Sequence, residues 1–233
     1  MKKATLFSAL TLLVLIPATL FVGTQLRGRW YYLTSTLVIL EAMLPFFLTF
    51  EARRPQAREL VIIAVMAALA VAGRVAIPVP NFKAITGIVM IAGMAFGPQA
   101  GFVTGAISAF ASNFFFTQGP WTPWQMMAYG MGGFLAGLLF SGKTISKNPW
   151  IQLAAKAVFG FLGVFLVVGP LLDACTIFTT GSKLSWRFVG AVLLAGLPHN
   201  IIHGLSCGAT VLVLGKPLLS KLERLKTKYG MLQ

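Results

Sequence analysis

From Ala100 to Phe140 the chain reads AGFVTGAISAFASNFFFTQGPWTPWQMMAYGMGGFLAGLLF. Two apolar runs, 100–117 and 124–141, flank a turn that gathers three phenylalanines, two tryptophans and two prolines between Asn113 and Gln125. Each run approaches the ~20 residues with which an α-helix crosses a bilayer. The turn suits the boundary of such a bilayer: an indole buries its ring there while its N–H stays wet. Proline fixes the backbone, so both rings are held in set directions. The stretch therefore reads as two spans joined at a membrane surface.

The rest of the chain repeats the pattern. Of its 233 residues, 57% are hydrophobic and 10% charged, against about 25% charged in a soluble domain. Apolar runs occupy 4–26, 31–50, 60–79, 84–97, 100–117, 124–141, 150–172 and 187–215. The expected fold is an all-α polytopic membrane protein, with 84–97 short enough to be tilted, re-entrant or a partial span. The amino terminus begins like a signal peptide, but its run from Ala4 to Gln25 exceeds a signal core and a second run follows at once. A retained first span is expected.

The net charge of +14 would suggest nucleic acid in a soluble domain. Here the cations sort by loop. With the N-terminus inside, Lys2, Lys3, Arg53, Arg54, Arg58, Lys143, Lys147, Lys216, Lys221, Arg224, Lys226 and Lys228 face inward, against Arg27, Arg29, Lys83, Lys183 and Arg187 outside. That bias places both termini in the cytoplasm. No nucleic-acid partner is expected, and the lipid bilayer is the solvent. Cys175 and Cys207 lie in or near different apolar segments and form no framework or metal motif.

Polar and proline breaks divide the chain. RRPQARE (53–59) and IPVPNFK (77–83) end helices, GPQAG (97–101) forms a tight hairpin, and Asn148-Pro149 opens a helix. The organisation expected is a helix pair in 1–55, a bundle in 56–215, and a basic amphipathic tail in 216–233 on the inner surface. Small residues recur at packing intervals: Ala64, Ala68 and Ala72; Gly101, Gly105 and Ala109; Gly133 and Gly137. GLLFSGKT (137–144) matches the phosphate-binding loop in letters, but it closes an apolar helix instead of following a strand. The chain is expected to hydrolyse no ATP.

Candidate ligand groups collect on the outer side. Trp121 and Trp124 on a rigid turn, with Gln118, Gln125 and Asn113 beside them, suit a flat ligand whose orientation amides fix. An aromatic belt is the plainer alternative. Asn81 and Lys83 share another outer loop. Asp173 opens DACTIFTTGSKLSWR (173–187), long enough for a lid. In GLPHNIIHG (196–204) proline interrupts the last helix near midplane, beside Asn200. His199 and His203, four apart, share a helix face and suit interhelical hydrogen bonds better than a metal, for which a third ligand is missing. Glu41 and Arg74 are intramembrane charges that need a partner, a wet cavity or, for Arg74, a snorkelling route to the helix end.

The run VMAALAVAGRVAIPVPNFKAITGIVMIAGMAFGPQAGFVTGAISAFASNFFF resembles the substrate-binding S components of energy-coupling factor (ECF) vitamin transporters. The likeness covers about 60–215, and SNFFFTQGPWTPWQM is most similar to the group assigned to cobalamin. The resemblance implies a six-helix bundle with an outward cavity for a vitamin and no catalytic residues. It also implies a shared transmembrane coupling subunit (T component) and two cytoplasmic ATPases that use the ATP. Such S components are thought to tip over in the bacterial plasma membrane and carry the vitamin inward. Ala64 and Ala68, with Ala72, match the coupling-subunit contact; the extra 55 residues are a departure that could cover it. Two other classes compete: an ion-coupled carrier using Glu41, Asp173 or the histidines, and an intramembrane enzyme using His199 and His203, for which no paired nucleophile is visible.

Overall fold

The computed structural model describes residue 7 and residues 10–25, 30–180 and 185–230. Lys2, Lys3, Arg27, Arg29 and Lys183, used above to orient the chain, lie outside the described residues. Among the described residues the regular structure is entirely helical, as its apolar runs demand: in lipid only a helix satisfies its backbone within one segment.

Among the described residues eight helical stretches follow in chain order. α1 opens with a π-helical turn, Thr11–Leu15, and continues as Ile16–Gln25. α2 is Trp30–Ala52, α3 Ala57–Val75, α4 Ile85–Phe96, α5 Pro98–Phe116 and α6 Thr122–Phe140. α7, Pro149–Thr179, contains a π-helical turn at Val164–Val168, and α8 is Trp186–Tyr229. α2, α7 and α8 are each long and apolar enough to cross a membrane alone. α3, α5 and α6, at 19 residues each, extend about 28 Å, close to the thickness of the hydrocarbon layer. Together these make an all-α polytopic membrane protein.

Two features differ from the sequence expectation. The stretch 173–187 is not a lid-length loop, because α7 continues to Thr179. Thr179 Oγ1 donates to the Cys175 carbonyl (2.6 Å) and Thr180 to that of Thr176 (2.5 Å), so the polar side chains are absorbed by their own helix. Nor does proline break α8. Pro198 and Pro217 both lie inside one 44-residue helix, each leaving one carbonyl without its usual donor.

α4 is the centre. Every residue of this 12-residue helix except Ala95 is buried, and a helix apolar all round has to be enclosed. α3, α5, α6 and α8 pack against it. α5 and α6 meet backbone to backbone: a Cβ on Gly101 would lie 2.3 Å from the Gly133 carbonyl oxygen, and one on Gly133 2.3 Å from that of Gly101. The hairpin between α4 and α5 turns at Gly97, whose φ of +91° a side chain would strain.

α2 lies against α5, α6 and the end of α7. Phe46 stacks on Phe102 (4.1 Å between centroids) and meets Phe134 edge-on at 5.1 Å. α1 is tied to α2 through Thr19, whose hydroxyl donates to Glu41 Oε1 (2.7 Å). Among the described residues the hydrogen-bond partner of Glu41 is thus on α1. The alanine stripe of α3 stays open, because α2 packs elsewhere; Ala64, Ala68 and Ala72 are all exposed.

Candidate functional site

α3, α5 and α7 finish at the end of the bundle where α4, α6 and α8 begin. This aromatic end carries every candidate ligand group except Asp173, His199 and Asn200, which come together across α7 and α8. The opposite, basic end holds Arg53, Arg54, Arg58, Lys143, Lys147 and the cations that follow Lys216. There Lys143 Nζ donates to the Leu138 carbonyl (2.9 Å). The lysine of GLLFSGKT therefore neutralises a helix C-terminus, which is the opposite of holding a phosphate.

Asn113 is the hub of the aromatic end. It is 1% exposed, near the end of α5. Its Oδ1 accepts from Arg74 Nη1 (2.9 Å), and its Nδ2 donates to Thr122 Oγ1 (2.9 Å) and Gln125 Oε1 (2.8 Å). All its amide groups are used. Thr122 in turn donates to Gln118 Oε1 (2.8 Å), and Gln118 Nε2 reaches back to the Phe110 carbonyl (3.0 Å). The turn after α5 is thereby stitched at both sides. Its first residue, Thr117, stands at φ +80°, an unfavourable backbone for a β-branched residue.

Arg74 does not snorkel. Its guanidinium donates to Ser112 Oγ as well as Asn113 and lies 4.7 Å from the Phe116 ring centroid. Sequence reading missed this cluster; its one visible trace is the adjacent polar pair Ser112 and Asn113 inside an apolar run. Lys83 lies over the other part of the same network, 5.7 Å from the Phe116 ring, with its ammonium on the Ile77 carbonyl. Asn81 is exposed on that loop at φ +57°.

The two indoles do not form one shared open platform. Trp121 is 40% exposed and lies against Gly119, whereas Trp124 is 6% exposed. Trp124 stacks on Phe178 (5.6 Å, 15° between planes) and packs with Ile39 of α2 and Cys175 of α7. Its Nε1 is buried with no hydrogen-bond partner among the described residues.

Between α7 and α8, Asn200 Nδ2 donates to Asp173 Oδ2 (2.8 Å). Gly169 and Gly196 make room for these side chains, since a Cβ on either would lie 2.4 Å from Asn200 Cγ or Asp173 Oδ1. The histidines part company. His203 is buried, with Nε2 3.1 Å from Thr86 Oγ1 of α4 and its ring edge-on to Tyr129 at 6.0 Å. His199 is exposed on α8, with Nδ1 3.4 Å from its own Ala195 carbonyl, and is close enough to Asp173 to interact with its charge. Among the described residues no three of His, Cys, Asp and Glu converge as metal ligands would.

Among the described residues the arrangement offers amides, an exposed indole and a cationic loop. Residues 55–224, which take in α3 to α7 and most of α8, match the family described as ECF-type riboflavin transporter, S component. A UPF0397 protein of Streptococcus gordonii is 29% identical over 191 residues, covering 76% of this chain and 93% of that protein. Another, of Clostridium perfringens, is 30% identical over 167 residues, covering 67% and 80%. No solved structure matches the chain.

Proposed function

The chain belongs to the family of S components of ECF-type riboflavin transporters, and we propose that it is the vitamin-binding subunit of an ATP-driven importer. It loads its ligand at the aromatic end, which faces the cell exterior, with both termini in the cytoplasm of a bacterial cell. It then docks through α3 on a transmembrane coupling subunit whose two ATPases supply the energy. What supports this reading most is the pairing of two features on α3–α8. A stitched polar and aromatic end lies beside an open groove of Ala64, Ala67, Ala68, Val71 and Ala72, smooth enough for a partner helix to approach closely.

The ligand is a flat vitamin bearing amides or similar groups. A flavin is the first candidate, from the family's description. Cobalamin is the second, favoured by the number of amides near the site (Asn81, Asn113, Gln118, Gln125 and Asn200), because the corrin rim carries amides of its own. Lys83, Trp121, Trp124, Asp173 and His199 complete the proposed ligand set, with Trp121 the exposed stacking surface. The chain needs no cofactor of its own.

The test is direct. The purified chain is mixed with riboflavin, read by quenching of flavin fluorescence, or with cobalamin, read by absorbance retained after gel filtration. Retention of one vitamin at micromolar concentration, weakened at least about tenfold by Trp121→Ala, is expected. If neither vitamin is retained, the reading fails. Cellular uptake that persists without the ATPases and collapses with an uncoupler would install the ion-coupled carrier in its place.

A further inference from the structure

The open groove on α3 is shared with α5: Ala72 and Val75 face Ile107, Ala111 and Phe115 across about 490 Å³. Arg74 lies between those two α3 residues in sequence. Its partners Ser112, Asn113 and Phe116 alternate with Ala111 and Phe115 along α5. One side of this helix pair is therefore the groove, and the adjoining side is pinned by a guanidinium. The pin also fixes an amide. Arg donates only, so Asn113 has to turn its oxygen to Arg74 and both N–H groups toward α6. Those N–H groups hold Thr122 and Gln125, the residues that open α6 beside Trp121.

We infer that Arg74 is a positioning residue that makes the α3–α5 docking groove respond to occupancy of the aromatic end. This deepens the function proposed above and rests on it. A ligand that takes Gln125 or Thr122 as its partner competes for the donors of Asn113. The amide then shifts, and the guanidinium that sets the spacing of α3 and α5 shifts with it. The guanidinium is held by Ser112 and Asn113 together, so a shift of the amide leaves it clamped by Ser112 alone. Linkage requires the converse as well: docking on α3 changes vitamin affinity by the same factor.

The experiment measures coupling-subunit affinity for the full chain in nanodiscs, with and without riboflavin or cobalamin, whichever the wild type retains. Wild type is expected to change its docking affinity at least about 5-fold on adding vitamin. Arg74→Gln is expected to bring that ratio within about 2-fold while vitamin-free docking persists, a split that mere loss of stability would not produce. Arg74→Lys keeps the charge but not the fork; it serves if Arg74→Gln does not fold, and is expected to lose most of the ratio too. An unchanged ratio in either folded variant overturns the inference, as does a wild type that binds and docks with no vitamin dependence. A wild type that binds neither vitamin overturns the proposed function and this inference with it.

Discussion

Replacing Gly133 by alanine tests the α5–α6 contact on which the aromatic end is built. The new methyl would lie 2.3 Å from the Gly101 carbonyl oxygen, 2.6 Å from its carbon and 2.9 Å from Val89 Cγ1. A carbon normally approaches a carbonyl oxygen no closer than about 3.3 Å, so the helices have to part by about 1 Å. Two of the three obstacles are backbone, and no rotamer change relieves them. Overpacking costs about 1–3 kcal/mol, and this site belongs at the upper end, because a gap of 1 Å also forfeits a quarter to a half of nearby contact energy. At ~2–4 °C per kcal/mol for a chain of this size, an upper-end cost of about 3 kcal/mol lowers Tm by about 6–12 °C. Cys175 and Cys207 are buried free thiols, so a thiol-reactive dye reports unfolding of the detergent-purified protein directly. Gly190→Ala is the control: nothing lies within 4 Å of its Cβ position, and helix propensity favours alanine by ~1 kcal/mol. A Gly133→Ala protein that melts within about 1 °C of wild type would refute the reasoning.

Other outcomes follow from the same geometry. Thr117→Gly relieves the φ +80° backbone and is expected to raise Tm by a few degrees, since such strain costs on the order of 1–3 kcal/mol; the same dye assay reads it. Ala68→Trp fills the exposed groove and is expected to abolish pull-down of the coupling subunit while vitamin binding by the isolated chain is unchanged. Trp124→Ala removes a buried stack and is expected to cost about 3–5 kcal/mol in thermal unfolding. Trp121→Ala, at a 40% exposed site, costs under ~1 kcal/mol and shows instead in ligand affinity.

Much of the bundle was legible in the residues because lipid leaves few alternatives. The run 84–97 became α4, Ile85–Phe96, and GPQAG became the turn at Gly97. Ends were harder. The Asp173–Thr180 stretch looked like loop because it carries polar residues, yet Thr179 and Thr180 bond back to their own helix. α8 runs on past 215 because nothing after Pro217 stops a helix until Gly230, which adopts φ +59°. At the site, single residues were legible and pairings were not. Whether Arg74 snorkels or is clamped depends on Ser112 and Asn113, 38 and 39 positions away. Trp121 and Trp124 looked alike in sequence. Trp121 caps α6 from outside the helix, while Trp124 lies inside its first turn, toward α2 and α7.

The length of α8 has a mechanical corollary. At 44 residues it measures about 66 Å along its path, roughly twice the hydrocarbon layer, and it does so as one continuous helix. Leverage follows: pivoting such a length by 10° about one tip swings the other by up to about 12 Å. The swinging tip carries Lys216, Lys221, Arg224, Lys226 and Lys228, so a modest roll of the body inside the membrane is broadcast below it as the travel of a positively charged antenna.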